Sequence, residues 1–273
     1  AIRGKWHLTP SNRVPDDAWP TNRGFDTFWG TMTGCGTYYQ PGTLTRGTEN
    51  IDHEADREGF FYTDVIADQS VDFLKSHKTE SPDKPYFLYV PFTAPHWPLH
   101  AREKTIAEYD GVYEAGWDKL RETRLKRQKE LGLLPEYLEL SPRDEGVPSW
   151  ENEAHKEWQV RCMQVYAAMV TEMDRAIGQI LEQIRANGDW EDTVILFMSD
   201  NGASADPMPL TELQYWRQRT DILRHKTKDG RDVRIGNDPL TMPGGEDTYL
   251  SYGRGWANLS NTPFKLFKLW THE

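Results

Sequence analysis

Cysteine is scarce in this 273-residue chain: there are two, Cys35 and Cys162. Neither sits in a CxxC or zinc-type spacing, so a disulfide framework and a structural zinc site are excluded. Two unpaired thiols are the expectation, with a single bridge as the alternative. No apolar run approaches the roughly 18 residues that a membrane-crossing helix requires. A surplus of positive charge is missing too: 32 Lys and Arg against 43 Asp and Glu leave a net charge of −11. Such a chain repels nucleic-acid phosphates and anionic lipid, so nucleic acid is no expected partner. An anionic substrate would need a local cationic pocket. There is no internal repeat and no low-complexity tract. Ala1-Ile2-Arg3-Gly4-Lys5 has neither an initiator Met nor the features of a signal peptide, and the chain stops at Trp270-Thr271-His272-Glu273. Both ends read as cut from a longer domain. The compartment therefore stays open between bacterial cytoplasm and periplasm.

What is present is ordinary for a water-soluble domain: 37% hydrophobic and 27% charged residues. The length suits one large α/β domain or most of one. Eleven Trp and twelve Tyr suit a site that binds rings or sugars, and they suit a core equally well. Residues 1–60, rich in Gly, Pro, Asn and Thr, read as loops around short elements. Val65, Ile66, Val71, Phe73 and Leu74 give a helical period over 62–77. Residues 85–92, Pro-Tyr-Phe-Leu-Tyr-Val-Pro-Phe, read as a buried strand. Residues 102–134 are highly charged and helical in their second half, and 135–153 read as an exposed loop. The clearest helix covers 157–187, where Met163, Tyr166, Val170, Met173, Ile177, Ile180, Leu181 and Ile184 form one apolar stripe ahead of Gly188. Thr193-Val194-Ile195-Leu196-Phe197-Met198 reads as a second buried strand, and 203–258 as a long surface excursion.

Helix, strand, helix, strand with short links implies a parallel or mixed sheet covered by helices. In such sheets chemistry collects at the carboxyl ends of strands. Two polar clusters lie there: Thr93-Ala94-Pro95-His96 and Ser199-Asp200-Asn201-Gly202. Asp200 and Asn201 offer two hard oxygens for Ca²⁺ or Mg²⁺, or form a simple Asx turn closed by Gly. Lys5 and His7 point the same way in an extended segment and suit an oxyanion, or are two incidental loop residues. His96, between Pro95 and Pro98, has a rigid backbone to aim it; as a lone histidine it is equally a structural residue. Lys268 follows a short aromatic run and reads alone as a surface lysine. His53, His77, His100, His155 and His225 have no distinctive context.

Taken together and in order, these segments resemble the sulfatase family. Gly4-Lys5-Trp6-His7-Leu8 is similar to its Gly-Lys-Trp-His-Leu-Gly signature, with Thr9 replacing the final Gly. Arg23-Gly24-Phe25-Asp26-Thr27-Phe28-Trp29-Gly30 resembles the Gly-Phe-Asp segment that follows. Residues 86–96 resemble the strand ending in Pro-His, and Ser199-Asp200-Asn201-Gly202 the second metal-binding pair. Asn261-Thr262-Pro263-Phe264, leading to Lys268 and His272-Glu273, resembles the segment before the family's Glu-Gly-Gly. Residues 94–99 and 116–121 look closest to the bacterial arylsulfatase branch. The resemblance implies an alkaline-phosphatase-like α/β fold, a mixed and mostly parallel sheet flanked by helices, here an incomplete domain over 1–273 with 203–258 as a surface insertion. It implies hydrolysis of a small-molecule or saccharide sulfate ester. Lys5 and Lys268 would hold sulfate oxygens, and His7 would sit near a formylglycine nucleophile. His96 would bind sulfate or protonate the leaving oxygen. Asp200 and Asn201 would ligate calcium, or magnesium.

The departures are specific. No Cys-x-Pro/Ala-x-Arg motif occurs: Cys35 lies in Gly-Cys-Gly-Thr-Tyr and Cys162 in Arg-Cys-Met-Gln. The family's first pair of metal-binding Asp is missing as well. Both normally precede Gly-Lys-Trp-His, so the expectation is an internal fragment, inactive alone. The nucleophile would come from a preceding segment, converted by a formylglycine-generating or sulfatase-maturing enzyme. Two other readings stand beside this one: a phosphate or phosphonate ester hydrolase of the same superfamily, and a non-catalytic anion-binding module.

Overall fold

A computed structural model describes residues 1–211 and 213–271. His272 and Glu273, expected to form part of the last motif, lie outside the described residues. The first 60 residues do form short elements. Strands β1 (Ile2–Arg3), β2 (Phe28–Thr31), β3 (Leu44–Arg46) and β4 (Glu49–Asn50) make one sheet in that order. β1 pairs parallel with β2, and β2, β3 and β4 pair antiparallel. Residues 87–91 add a further parallel neighbour on the free edge of β1: Arg3 N–H donates to Tyr89 O at 3.0 Å, Tyr89 N–H to Ala1 O at 3.0 Å and Lys5 N–H to Pro91 O at 2.8 Å. The α/β expectation and a mixed sheet hold.

Helices cover one face of that sheet. α1 (Tyr62–Glu80) and α4 (Lys156–Ala186) pack together through Ala67, Leu74, Ala176, Ile180 and Ile184. Tyr86, Leu88, Val90 and Phe92 pack against this cluster. These are alternate residues of an extended chain, so they share one face. α4 matches the stripe read from sequence, and Gly188, at φ 78°, follows its C-cap Asn187. Between the two long helices run α2 (Glu103–Ile106) and α3 (Gly116–Glu130). Their cluster with α4 holds Trp117, Trp158 and Trp256 near complete burial. The abundant tryptophans are therefore largely core.

Residues 203–258 carry α5 (Leu213–Gln218), a two-stranded parallel sheet of β5 (Arg234–Ile235) and β6 (Thr248–Tyr249), and the start of α6 (Gly253–Ser260). Met208, Ile222, Leu223, Val233 and Tyr249 form a buried cluster within this stretch.

Both strand expectations need correction. Residues 193–198 form neither strand nor helix among the described residues. They are not buried: Val194, Leu196, Phe197 and Met198 are 74–86% exposed. The run has the composition of an interior strand, but its side chains stay open to solvent. Residues 85–92 fall short as well: they make one isolated parallel bridge, Tyr89 to Ile2, none of them is fully buried, and Phe87 and Tyr89 stay exposed. Both cysteines are free thiols, as expected. No helix among the described residues is long and apolar enough to cross a membrane.

Candidate active site

The candidate residues follow the carboxyl ends of the extended segments. Lys5 and His7 lie just past β1, His96 past residues 85–92, and Asp200 and Asn201 past 193–198. Gly4, at φ 137°, lets the chain pass the 85–92 segment closely; a Cβ there would meet Pro91 O at 2.2 Å. His7 adopts φ 55°, and its backbone N–H donates to Met32 O at 3.2 Å. Its ring lies flat against Gly34, where a Cβ would come within 2.3 Å of the imidazole. The Gly34-Cys35-Gly36 loop is therefore a seat for His7.

Lys268 and His96 meet directly, with Lys268 Nζ 3.4 Å from His96 Nε2. The tautomer of His96 follows from its other nitrogen. Nδ1 lies 2.8 Å from Trp97 O, and a carbonyl only accepts, so Nδ1 carries the proton. Nε2 then presents a lone pair toward the Lys268 ammonium. Burial, helped by the positive charges of Lys268 and Lys5, pushes the His96 pKa down to about 4. His7 is lowered by burial first and then by Lys5 and Lys268, against a raising influence of Asp200. Lys5 is lowered by burial and by Lys268, and is held up by Asp200. These mutual influences place Lys5, His7, His96, Lys268 and Asp200 in one electrostatic neighbourhood. Two ammonium groups, two imidazoles and one carboxylate give that neighbourhood a positive balance inside a chain of net charge −11.

Supporting residues escaped the sequence reading. Tyr38 Oη donates to His96 O at 2.9 Å. Asn261 joins the two late segments: Oδ1 accepts from Ala203 N–H at 2.9 Å and Nδ2 donates to Leu266 O at 2.8 Å. Lys268 N–H donates to Ala203 O at 3.0 Å. The Asp200-Asn201-Gly202 turn is thus tied to the backbone that carries Lys268. Trp97 forms a wall beside His96, with ring centroids 4.6 Å apart. His100 has a structural task. Its Nδ1 accepts from Tyr38 N–H and its Nε2–H donates to Thr248 O at 2.6 Å, which fixes a neutral tautomer. Sequence offers little signal for Tyr38, His100 and Asn261, because their partners lie 58 or more residues away, Leu266 excepted.

Asp200 and Asn201 are exposed. Their carboxylate and amide oxygens are the hard donors that calcium and magnesium take. Calcium takes about six to eight oxygens, and no group of three or more His, Cys, Asp or Glu side chains converges among the described residues. The pair fits one side of a hard-cation shell, and the other ligands have to come from elsewhere. Neither cysteine is poised as a nucleophile: burial pushes the Cys35 thiol up to about 11 and raises Cys162 as well.

Known proteins resemble this chain along most of its length. The sulfatase family model matches residues 1–240. An uncharacterized sulfatase of Schizosaccharomyces pombe is 33% identical over 98% of this chain and 48% of its own. The arylsulfatase of Klebsiella aerogenes is 30% identical over 96% of this chain and 54% of its own. Human N-sulphoglucosamine sulphohydrolase is 28% identical over 49% of this chain and 24% of its own. The chain spans about half the length of the first two relatives. On the family match and the fungal relative together, this chain belongs to the sulfatase family.

Proposed function

We propose that the intact protein hydrolyses sulfate esters and that residues 1–273 supply the anion-binding side of its active site. The observation that carries this reading is the Lys268–His96 pair, an ammonium 3.4 Å from an imidazole lone pair, with Lys5 and His7 in the same field. A tetrahedral anion between Lys5 and Lys268 satisfies two ammonium groups that otherwise repel one another. Lys5 and Lys268 bind and orient non-bridging oxygens, and so hold the sulfur for in-line displacement. His96 is neutral without ligand. An anion beside it raises its pKa, so Nε2 takes up a proton on binding and has one to give to the departing oxygen. His7, seated on Gly34, faces the same charge and moves protons at its own ring. Asp200 and Asn201 would share a calcium or magnesium ion, which neutralises charge on the ester, and a formylglycine from outside this chain would supply the nucleophile. Substrates fall among aryl sulfates and sulfated sugars, the range suggested by the names of the relatives, and maturation would need a formylglycine-generating enzyme. Calorimetric titration of the chain with inorganic sulfate and 4-nitrophenyl sulfate tests the anion site. Lys5→Ala and Lys268→Ala are each expected to weaken both ligands tenfold or more. Equal binding by wild type and both variants overturns the reading.

A further inference from the structure

Both imidazoles of the site are mounted on one loop. Gly34 lies under the His7 ring, where a Cβ would come within 2.3 Å. Tyr38, further along the same loop, reaches the other histidine: its Oη donates to His96 O at 2.9 Å. The loop is laced from within. Thr33 N–H donates to Thr43 Oγ1 at 3.2 Å, and Thr33 Oγ1 donates to Cys35 O at 3.2 Å. From Thr33 to Tyr38 every residue is buried except Cys35, which is half-buried.

Tyr38 is held well beyond its hydroxyl. Its backbone N–H donates to His100 Nδ1 at 3.3 Å. Its carbonyl accepts from Tyr62 N–H, at the start of α1, at 2.8 Å. The ring is stacked on Phe61 with centroids 5.8 Å apart, and it meets His100 edge to face at 6.0 Å. Burial raises the phenol pKa well above its ordinary value, so the hydroxyl keeps its proton and stays a donor. A ring fixed in this way delivers that proton to one point in space.

That point is the hinge of His96. The His96 N–H donates to Thr93 O at 2.9 Å and closes a turn. Its Nδ1–H donates to Trp97 O at 2.8 Å. The Tyr38 bond falls between these two, on the carbonyl of the peptide that joins His96 to Trp97. With that carbonyl caught, the peptide plane is held against rotation and Trp97 O stays beside Nδ1. Nε2 is then left as the acceptor that faces Lys268 Nζ at 3.4 Å. Without the hydroxyl the plane is free to turn, and both neutral tautomers of His96 become available. The aim of the imidazole thus depends on a group that touches neither the anion nor Lys268.

We infer that Tyr38 is a positioning residue: its hydroxyl locks the His96 backbone and so aims Nε2 at Lys268. The inference rests on the sulfate-ester reading only for what His96 acts on.

Tyr38→Phe removes the oxygen and leaves the ring, its stacking and both backbone bonds. Nitrogen-15 spectra of the histidine-labelled 273-residue chain read the tautomers with no ligand present. In the wild type His96 is expected as Nδ1–H, and His100, whose Nε2–H donates to Thr248 O, as the opposite form. In Tyr38→Phe, His96 is expected to populate both forms. His100 should keep its own, because the backbone N–H of position 38 still donates to it. Calorimetry should show inorganic sulfate bound about tenfold more weakly. At position 38, 4-aminophenylalanine restores a donor and should restore both readouts. There too 4-fluorophenylalanine fills the space of the hydroxyl without a donor, and it decides if Tyr38→Phe misfolds. The proposal is overturned if His96 keeps its Nδ1–H form without the hydroxyl. It is overturned equally if His100 changes form along with His96, or if neither donor-free variant folds, since either marks a merely structural bond. Unchanged sulfate affinity where Lys268→Ala still weakens binding overturns it as well. Failure of the anion-site reading looks different: Lys5→Ala and Lys268→Ala then leave sulfate binding untouched, while the tautomer change in Tyr38→Phe persists.

Discussion

At the scale of single residues, Gly34 is the sharpest case. Its backbone needs no special torsion, yet a methyl group there would collide with the His7 imidazole at 2.3 Å. Gly34→Ala therefore has to push His7 out of the cationic cluster. The expected result is a sulfate affinity reduced about tenfold with only a small change in melting temperature; unchanged affinity would mean that His7 does not touch the anion. His96 gives a second prediction. Its pKa of about 4 rises when an anion sits beside it, so the complex holds more protons than the free chain. Affinity for sulfate should then be flat above the pKa of the complex and strengthen as pH falls from there toward about 4. Calorimetry in two buffers of different ionisation enthalpy reads the proton uptake directly. His100 works on stability instead. Burial lowers its pKa to about 4 in the folded state, below the ordinary value near 6.5. The unfolded chain thus binds the extra proton between those two values. Stability rises with pH across that window and is lost as pH falls through it, by up to about 1.4 kcal/mol per pH unit. Denaturant titrations at pH 4.5 and 6.5 measure it, and His100→Gln should flatten the slope.

At the scale of elements, Asn261 does the joining. It holds the turn after residues 193–198 to the segment carrying Lys268. Asn261→Ala leaves the Ala203 N–H without its side-chain acceptor, at a cost of about 1–3 kcal/mol. It should also loosen sulfate binding, because Asp200 and Lys268 then move independently. A melting-temperature drop with intact affinity would separate the two effects and count against the coupling. α4 was legible from sequence because a long amphipathic stripe and a terminal Gly are local signals, and residues 62–77 were legible for the same reason. The candidate residues were legible as motifs: the structure sets Lys268 against His96, with Lys5, His7 and Asp200 within the same electrostatic field. Tyr38, His100 and Asn261 were not, since each acts through hydrogen bonds to residues distant in the chain or through backbone atoms that no pattern marks. The run 193–198 has the composition of a buried strand, and composition says nothing about whether a neighbour is present to bury it.

At the scale of the whole molecule, the two extended segments that lead into the site present bare apolar surface. Tyr86, Leu88, Val90 and Phe92 are packed under α1 and α4, while Phe87 and Tyr89 on the opposite face are exposed. Val194, Leu196, Phe197 and Met198 are exposed along a backbone that pairs with no strand among the described residues. Unpaired, flat and apolar strands pair readily with other chains. Residues 1–273 in isolation should therefore self-associate through 194–198, despite a net charge of −11 that opposes it. Light scattering across a concentration series reads the effect. Leu196→Lys with Met198→Lys places two charges on one face of the strand, and it should restore a monomer without lowering sulfate affinity, since both positions precede Asp200. In the longer protein that the relatives' lengths suggest, the same amides should be covered. Hydrogen exchange at 194–198 would then slow by orders of magnitude relative to the isolated chain. Fast exchange in both would mean that the run stays uncovered in the longer protein too and that the bare face belongs to some other partner.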